Sequence, residues 1–212
     1  MGSAALAMAA LLAACGGSSS DSNQKPGSYQ VKVTGASFPT HQVIGQTSLM
    51  QIDVRNTGKK TVPALTVTVN VEGKDGEAAA IPFAIRDPEP GLATSGRPVW
   101  VLAATYPRLA GSSEPGGAGT ANPRTFSFGE LKPGRSVEAV WKLSAVRQGK
   151  YTLAYEIDAG LDGEAKAKTA GGAAPGGSFV TDISTALPET EVNGAGEIVE
   201  IEGGAAKQKA GG

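Results

Sequence analysis

The chain has 212 residues, enough for one domain of ordinary size with tails, and it carries 30 glycines, 13 prolines and only 5% aromatic residues. This composition favours a turn-rich β protein over a helical bundle. The net charge of −1 provides no argument for binding nucleic acid or anionic lipid. No apolar stretch reaches the roughly 18 residues that predict a membrane-spanning helix.

The first predicted element is an apolar run over residues 4–14, followed by Cys15. About ten apolar residues ahead of small residues are typical of a signal-peptide core. The sequence Leu12-Ala13-Ala14-Cys15 resembles the bacterial lipobox, the cleavage site in front of a lipidated cysteine. The resemblance implies that residues 1–14 are a signal peptide and that Cys15 carries a covalent diacylglycerol. It further implies a lipid-anchored protein on the extracytoplasmic face of the cell membrane.

Two alternatives concern this segment. The run could be an Ala-rich buried helix with an incidental cysteine. The segment Met1-Gly2-Ser3 lacks the Lys or Arg of most export signals, so either the amino terminus supplies the positive charge or the start lies upstream.

Residues 15–28 are predicted to be a flexible tether. From Gly16 to Gly27 the sequence is polar and rich in Gly and Ser, with no large apolar side chain to pack. Such a spacer would hold a domain away from a lipid anchor.

From Tyr29 onward, apolar residues recur at every second position, which predicts strands with one buried face. The clearest cases lie at 29–34, 50–55, 65–72, 137–143 and 151–159, and weaker ones at 99–102, 125–128, 165–169 and 179–183. Turn signals such as Asp75-Gly76 and Pro133-Gly134 separate these runs. The pattern predicts an all-β fold, an immunoglobulin-like antiparallel two-sheet sandwich over residues 29–183.

The segment Gln148-Gly149-Lys150-Tyr151 resembles the tyrosine corner of immunoglobulin-like domains, in which a Tyr opens a strand just after a turn. Leu153 stands where antibody domains place their second cysteine. The resemblance implies that packing, instead of a disulfide, holds the two sheets together. The alternative for Tyr151 is an ordinary core aromatic.

Two further motifs each combine a turn and a strand. Ile52-Asp53-Val54-Arg55-Asn56-Thr57-Gly58 precedes the strand residues 62–69, and Phe128-Gly129-Glu130-Leu131-Lys132-Pro133-Gly134 precedes 137–143. Both are similar to bacterial cell-surface immunoglobulin-like modules of the CARDB kind. The resemblance covers roughly residues 47–160. It implies a surface or adhesive module in general terms and carries no catalytic residues.

Residues 86–123 form a long Pro-, Gly- and Ser-rich stretch inside the predicted domain. Loops of this length are uncommon in compact domains and are usually functional or disordered. The stretch contains Trp100 and Tyr106, which are the candidate residues for an interaction surface. The alternative is that residues 99–102 are a buried strand and that residues 111–122 have no fixed structure.

The sequence contains no convincing catalytic or metal-binding set. His41 is the only imidazole and is predicted to be a solvated loop residue. Asp158, Asp162 and Glu164 flank a predicted hairpin but lack the spacing of a calcium loop, so they are predicted to form a polar turn. We expect no catalytic residue, no metal and no cofactor beyond the diacylglycerol on Cys15.

The last segment, residues 184–212, is predicted to be an acidic, disordered tail, with a short edge strand at 198–201 as the alternative. It contains Leu187-Pro188-Glu189-Thr190-Glu191, which resembles a sortase sorting signal. Glu191 replaces the required glycine, and no apolar segment follows, so sortase anchoring is not expected.

Together these features predict an exported, lipid-anchored, non-catalytic surface protein. Its partners would be the membrane, through the anchor, and an envelope protein or wall polymer, with no nucleic acid. One alternative is an accessory or solute-binding component of an envelope system. A hydrolase is a third hypothesis, with His41 and the acidic hairpin as its only candidate groups.

Overall fold

The computed structural model describes residues 24–73, 83–85, 98–114, 124–185, 190–192, 194–196 and 198–200. Within these ranges every regular element is a β-strand, and no helix is present. Numbered along the chain, the strands are β1 (Gly27–Ser37), β2 (His41–Val43), β3 (Thr47–Asn56), β4 (Thr66–Gly73), β5 (Phe83–Ile85), β6 (Trp100–Leu102), β7 (Arg108–Leu109), β8 (Thr125–Ser127), β9 (Ser136–Ala145), β10 (Gly149–Asp158), β11 (Ala165–Lys168), β12 (Gly176–Ser184), β13 (Thr190–Val192) and β14 (Ile198–Glu200).

Two sheets form the body of the protein. The first has the strand order β11-β1-β3-β9-β6-β5, with β7 also paired to β9, and the second has the order β2-β12-β10-β4-β8. In the first sheet, the central strands follow the order β1-β3-β9-β6, which corresponds to the A-B-E-D sheet of an immunoglobulin domain. In the second sheet, the order β12-β10-β4 corresponds to the G-F-C sheet. The predicted fold class, an all-β immunoglobulin-like sandwich, is confirmed.

Three edge pairings are parallel, which the antiparallel prediction did not include. They join β1 to β11, β2 to β12 and β5 to β6. A parallel pair cannot be closed by a tight hairpin and needs a connection of roughly a dozen residues or more. The 86–99 segment between β5 and β6 is long enough, and the other two pairs join strands far apart in the sequence.

The strongly alternating strands are found with the predicted faces buried. In β10, Tyr151, Leu153, Tyr155 and Ile157 are buried, and the residues between them are half-buried or exposed. The same holds for β3 and for the second half of β9. Burial of one face provides the main stabilisation, because each large apolar side chain removed from water contributes about 1.5–3 kcal/mol.

Aromatic side chains from both sheets fill the core. Trp100 on β6 packs edge-on against Tyr151 on β10, with ring centroids 5.8 Å apart. Trp141 on β9 makes similar contacts with Phe126 and Phe128, at 6.1 and 5.5 Å. Edge-to-face geometry is the favourable one for aromatic pairs. Contacts of this kind connect the two sheets.

The hydrogen bond of a tyrosine corner is present at the start of β10. The hydroxyl of Tyr151 donates to the carbonyl of Gln148 at 2.8 Å. Gly149 has a positive φ of 137°, and a Cβ there would lie 3.0 Å from the Tyr151 hydroxyl. The positive φ and this close approach both favour glycine at this position.

Asn56 joins the two turn motifs described above. It is fully buried at the end of β3, and its Nδ2 donates to the carbonyls of Lys60 and Leu131, at 2.9 and 2.7 Å. Its Oδ1 accepts from the backbone N–H of Gly58 at 2.9 Å. Backbone hydrogen bonds between Val62 and Leu131, 3.0 Å in both directions, extend the connection. One amide thus holds together turns that are about 75 residues apart.

The tether boundary differs from the prediction, which extended it to Ser28. Gln24 is buried, and its Oε1 accepts from the N–H of Leu161 at 2.7 Å. The hydroxyl of Tyr29 donates to the carbonyl of Lys25 at 2.8 Å. These contacts hold the chain onto the domain before β1 begins at Gly27. The predicted tether residues 15–23 lie outside the described ranges.

In the predicted tail, β13 and β14 pair with each other in register Val192 to Ile198. The strand predicted at 198–201 is thus present as half of a hairpin and not as an edge of either sheet. Residues 186–189 and 201–212 lie outside the described ranges.

Candidate interaction surface

The predicted lipidation and cleavage residues, Cys15 with Leu12, Ala13 and Ala14, lie outside the described residues. They stay predictions. Nowhere in the described ranges is there a helix long and apolar enough to cross a membrane.

The structure excludes Trp100, one of the two candidates, from an interaction surface. It is fully buried, and its Nε1 donates to Oε1 of Gln42, itself buried on β2, at 2.9 Å. β6 pairs with both β5 and β9, so the Trp100 side chain is directed into the space between the sheets. Removing so large a side chain from water is more favourable than exposing it. The alternative, a buried strand at 99–102, is confirmed.

Tyr106 is half-buried and packs against the edge of the core. The guanidinium of Arg108 lies over its ring, 4.5 Å from the ring centre. β7, which contains Arg108, pairs with β9 through Val140. The 98–114 part of the predicted loop is therefore ordered against the first sheet, and residues 86–97 and 115–123 are outside the described ranges.

The groups considered for catalysis or metal binding do not converge. His41 is exposed, but it lies in β2 opposite Asp182 and not in a loop. Oδ1 of Asp158 accepts from the N–H groups of Ala159 and Ala167, at 2.9 and 2.7 Å. Oδ1 of Asp162 accepts from the N–H of Glu164 at 3.0 Å, as expected for a polar turn. Among the described residues, no group of three His, Cys, Asp or Glu side chains could hold a metal ion.

The two ends of the sandwich have different surfaces. The end of the sandwich at which Gln24 lies is called the near end. It is formed by residues 24–32, 55–65, 129–136 and 158–165. β1 runs from this end to the far end, which is formed by residues 38–46, 98–99 and 145–150.

Three chain segments are hydrogen-bonded together at the far end. The N–H of Gly45 donates to the carbonyl of Ala145 at 2.8 Å, and the N–H of Ala145 donates to Gln46 at 3.0 Å. The N–H of Val146 donates to the carbonyl of Val99 at 3.0 Å. Because Val99 directly precedes β6, the predicted 86–123 loop enters the described structure at this end.

Two large apolar side chains are exposed beside this junction. Ile44 and Val146 each keep 44% of their surface accessible. Each is the chain neighbour of a residue in the Gly45–Ala145 hydrogen bond, so the two lie at the same end of the sandwich. We call them the far-end apolar pair. Leu49, also exposed, lies nearby on the outer face of β3.

Sequence analysis did not single out the far-end apolar pair. Ile44 precedes Gly45 in a turn, and Val146 begins the turn before Gly149. The available signal was a branched apolar residue inside a turn segment. That signal is weak, because isolated surface hydrophobic residues are common in soluble proteins.

No protein-family model and no curated protein sequence matches the chain. Among solved structures it is similar to the CARDB domain of the PF1109 protein from Pyrococcus furiosus, solved in complex with di-metal ions, at 11% identity and a TM-score of 0.39, covering 77% of this chain and 97% of that one. It is also similar to alpha-2-macroglobulin from Escherichia coli, at 16% identity and a TM-score of 0.39, covering 74% of this chain and 7% of that one. A third similar structure is the C-terminal domain of wzt, at 11% identity and a TM-score of 0.37, and the alignment covers 82% of this chain and 77% of that domain. At these identities and scores the likenesses carry no conclusion about function, and the fold assignment rests on the strand order.

Proposed function

We propose that this chain is an exported, lipid-anchored, non-catalytic surface protein whose sandwich binds an envelope protein through its far end. The observation that carries the proposal is the far-end apolar pair, Ile44 and Val146, at the end opposite to Gln24. A lipid on Cys15 would hold the near end towards the membrane and direct the far end away from it. The exposed pair would then face a partner instead of the bilayer.

The expected contribution to partner affinity follows from the exposed fraction of the Ile44 and Val146 side chains. Burying the remaining 44% of each of these two side chains contributes about 1 kcal/mol per residue, or about 2 kcal/mol together. This corresponds to about a 30-fold change in affinity. A charged residue at either position would add a desolvation penalty.

The test is in-cell crosslinking of a tagged protein, followed by mass spectrometry of the captured partners. We expect wild type to capture an envelope protein and the Ile44→Lys/Val146→Lys variant to lose it. Val180→Lys is the matched control, because Val180 is 50% exposed and lies on β12 in the second sheet. Equal capture by the double variant and the control would refute the far end as the binding site.

The anchor is tested separately by cell fractionation. We expect the Cys15→Ala variant to leave the membrane fraction after a high-salt wash, since Cys15 is the only cysteine in the sequence and the wash removes protein that is held by charge alone. A Cys15→Ala protein that stays in the membrane fraction after that wash would refute lipid anchoring. Capture of a small molecule instead of a protein would favour the alternative, a solute-binding component.

A further inference from the structure

Two positive side chains face each other across the first sheet at the near end. Lys32 on β1 is directly opposite Arg55 on β3, and both are exposed. Like charges in directly opposite positions destabilise a strand pair. A bound anion between them would remove that repulsion.

Two carboxylates in the same sheet, those of Asp53 and Glu138, make other contacts. The Asp53 carboxylate is directed across the strand towards Gly35, where a Cβ would lie 2.5 Å from its Oδ2. The Glu138 carboxylate accepts a hydrogen bond from Nε2 of Gln51. Within the described part of the chain, neither Lys32 nor Arg55 has an acidic partner at ion-pair distance.

A groove of about 520 Å³ lies beside the pair. Its walls include Lys32, Thr34 and Arg55, and its remaining lining comes from the 56–58 turn and Gly134. The lining of a second groove, of about 550 Å³, includes Lys25 and Lys60, with Glu130 also present. The near end therefore has two open grooves, both with lysine side chains in their walls.

The near end as a whole is positive. Its segments contain seven cations, Lys25, Lys32, Arg55, Lys59, Lys60, Lys132 and Arg135, and four carboxylates, Glu130, Asp158, Asp162 and Glu164. The difference is a net charge of +3, so the rest of the chain carries −4 to give the total of −1. All seven cations are exposed.

We propose that the near end binds the phosphate groups of an anionic lipid surface, with Lys32 and Arg55 as the central contact. The choice of a lipid surface rests on the proposed anchor. Cys15 precedes Gln24 by nine residues, and nine residues span at most about 30 Å. A lipid on Cys15 would keep the positive end close to the headgroups, where Lys and Arg are attracted to anionic lipid over about a Debye length.

The test uses the full chain carrying Cys15→Ala, so that its outcome does not depend on lipidation. Binding to phosphatidylglycerol–phosphatidylcholine vesicles is compared with binding to pure phosphatidylcholine vesicles by co-sedimentation. We expect Lys32→Gln/Arg55→Gln to lower the preference for anionic vesicles about 30-fold. The control Lys142→Gln/Lys150→Gln makes the same charge change at exposed positions outside the near end, and we expect it to retain the preference.

Two outcomes would overturn the proposal: equal loss in both double variants, or no preference of the Cys15→Ala chain for anionic vesicles. Displacement by inorganic phosphate at matched ionic strength would identify a site for free phosphate and overturn the assignment to lipid.

Urea unfolding provides a check on folding. Because Lys32→Gln/Arg55→Gln removes a like-charge contact, we expect it to be at least as stable as wild type. If the Cys15→Ala protein stays in salt-washed membranes of cells while its vesicle binding is intact, only the anchor is refuted.

Discussion

The buried amide of Asn56 makes the most direct prediction about stability. In Asn56→Ala the two Nδ2 hydrogen bonds, to Lys60 and Leu131, and the Oδ1 bond from Gly58 are lost together. Each hydrogen bond contributes about 1 kcal/mol net. The carbonyl of Leu131 keeps its bond from Val62, and the N–H of Gly58 keeps one to Gln30. We therefore expect a loss of about 2–3 kcal/mol in the free energy of unfolding.

Asn56→Asp separates hydrogen bonding from packing, because the two side chains have nearly the same shape. A carboxylate could still accept from Gly58, but its second oxygen would face the carbonyls of Lys60 and Leu131. A buried charge left without a partner costs about 3–5 kcal/mol. At neutral pH we expect Asn56→Asp to be less stable than Asn56→Ala.

The pH dependence of Asn56→Asp has a definite sign. Burial against two carbonyl oxygens would raise the pKa of the new carboxyl above its unfolded value of about 3.9. A raised pKa in the folded state means that the stability is present below the unfolded pKa and is lost as the pH rises through the folded pKa. The Asp variant should therefore recover stability, relative to wild type, as the solution is acidified.

The assay is urea unfolding followed by tryptophan fluorescence, since Trp100 and Trp141 are both fully buried and become exposed on unfolding. Thr57→Ala is the control, because Thr57 is the exposed neighbour of Asn56, and a surface change of this kind shifts stability by less than about 0.5 kcal/mol. Two results would contradict the role of the Asn56 amide. One is a free energy of unfolding of Asn56→Ala within that margin of wild type, and the other is an Asn56→Asp variant that is as stable as Asn56→Ala at neutral pH.

Three other outcomes are expected in the same assay. Gln42→Met would leave Nε1 of Trp100 buried without an acceptor and cost about 1–3 kcal/mol; an unchanged midpoint would contradict the role of that hydrogen bond. Burial raises the pKa of both Tyr151 and Tyr155 above 10.0, so stability should be lost as the pH rises from about 10 through the folded pKa values. Tyr155→Phe should reduce this alkaline loss, and a slope equal to wild type would contradict it. Gly149→Ala should cost more than about 1 kcal/mol, because its Cβ would be pressed against the Tyr151 hydroxyl at a positive φ; a smaller effect would show that the corner can adjust.

Alternation of apolar and polar residues was sufficient to predict the central strands and their buried faces. In β10 and β3 the period of two follows from the geometry of an extended chain, which is a local property. The short strands β2, β5, β7 and β13 were not predicted, since a period is hard to recognise in two or three residues, and the equally short β6 and β8 were only weakly indicated. The long strands β12 and β9 offer hydrogen-bonding edges to β2 and β7, and β5 pairs with β6, so these strands depend on the tertiary structure.

Trp100 shows the limit of local reasoning about the site. Its Pro- and Gly-rich surroundings allowed an exposed interaction loop, whereas residues 99–102 allowed a buried strand, and nothing nearby in the sequence predicts its contacts. Its burial depends on pairing with Ala145 on β9 and on an acceptor from Gln42 on β2. These partners are more than 40 residues away along the chain, so burial was decided by the assembly of the two sheets.

By itself, the sequence determined the all-β class, the buried face of each long strand and the positions of the main turns, because these depend on residues close together in the chain. Only the tertiary structure placed Lys32 opposite Arg55 and Ile44 at the same end as Val146. A net charge of −1 is a sum over the chain and contains no information about position. Strand pairing gives the near end a net charge of +3 and places the exposed Ile44 and Val146 together at the far end, because it brings together residues that the sequence keeps apart.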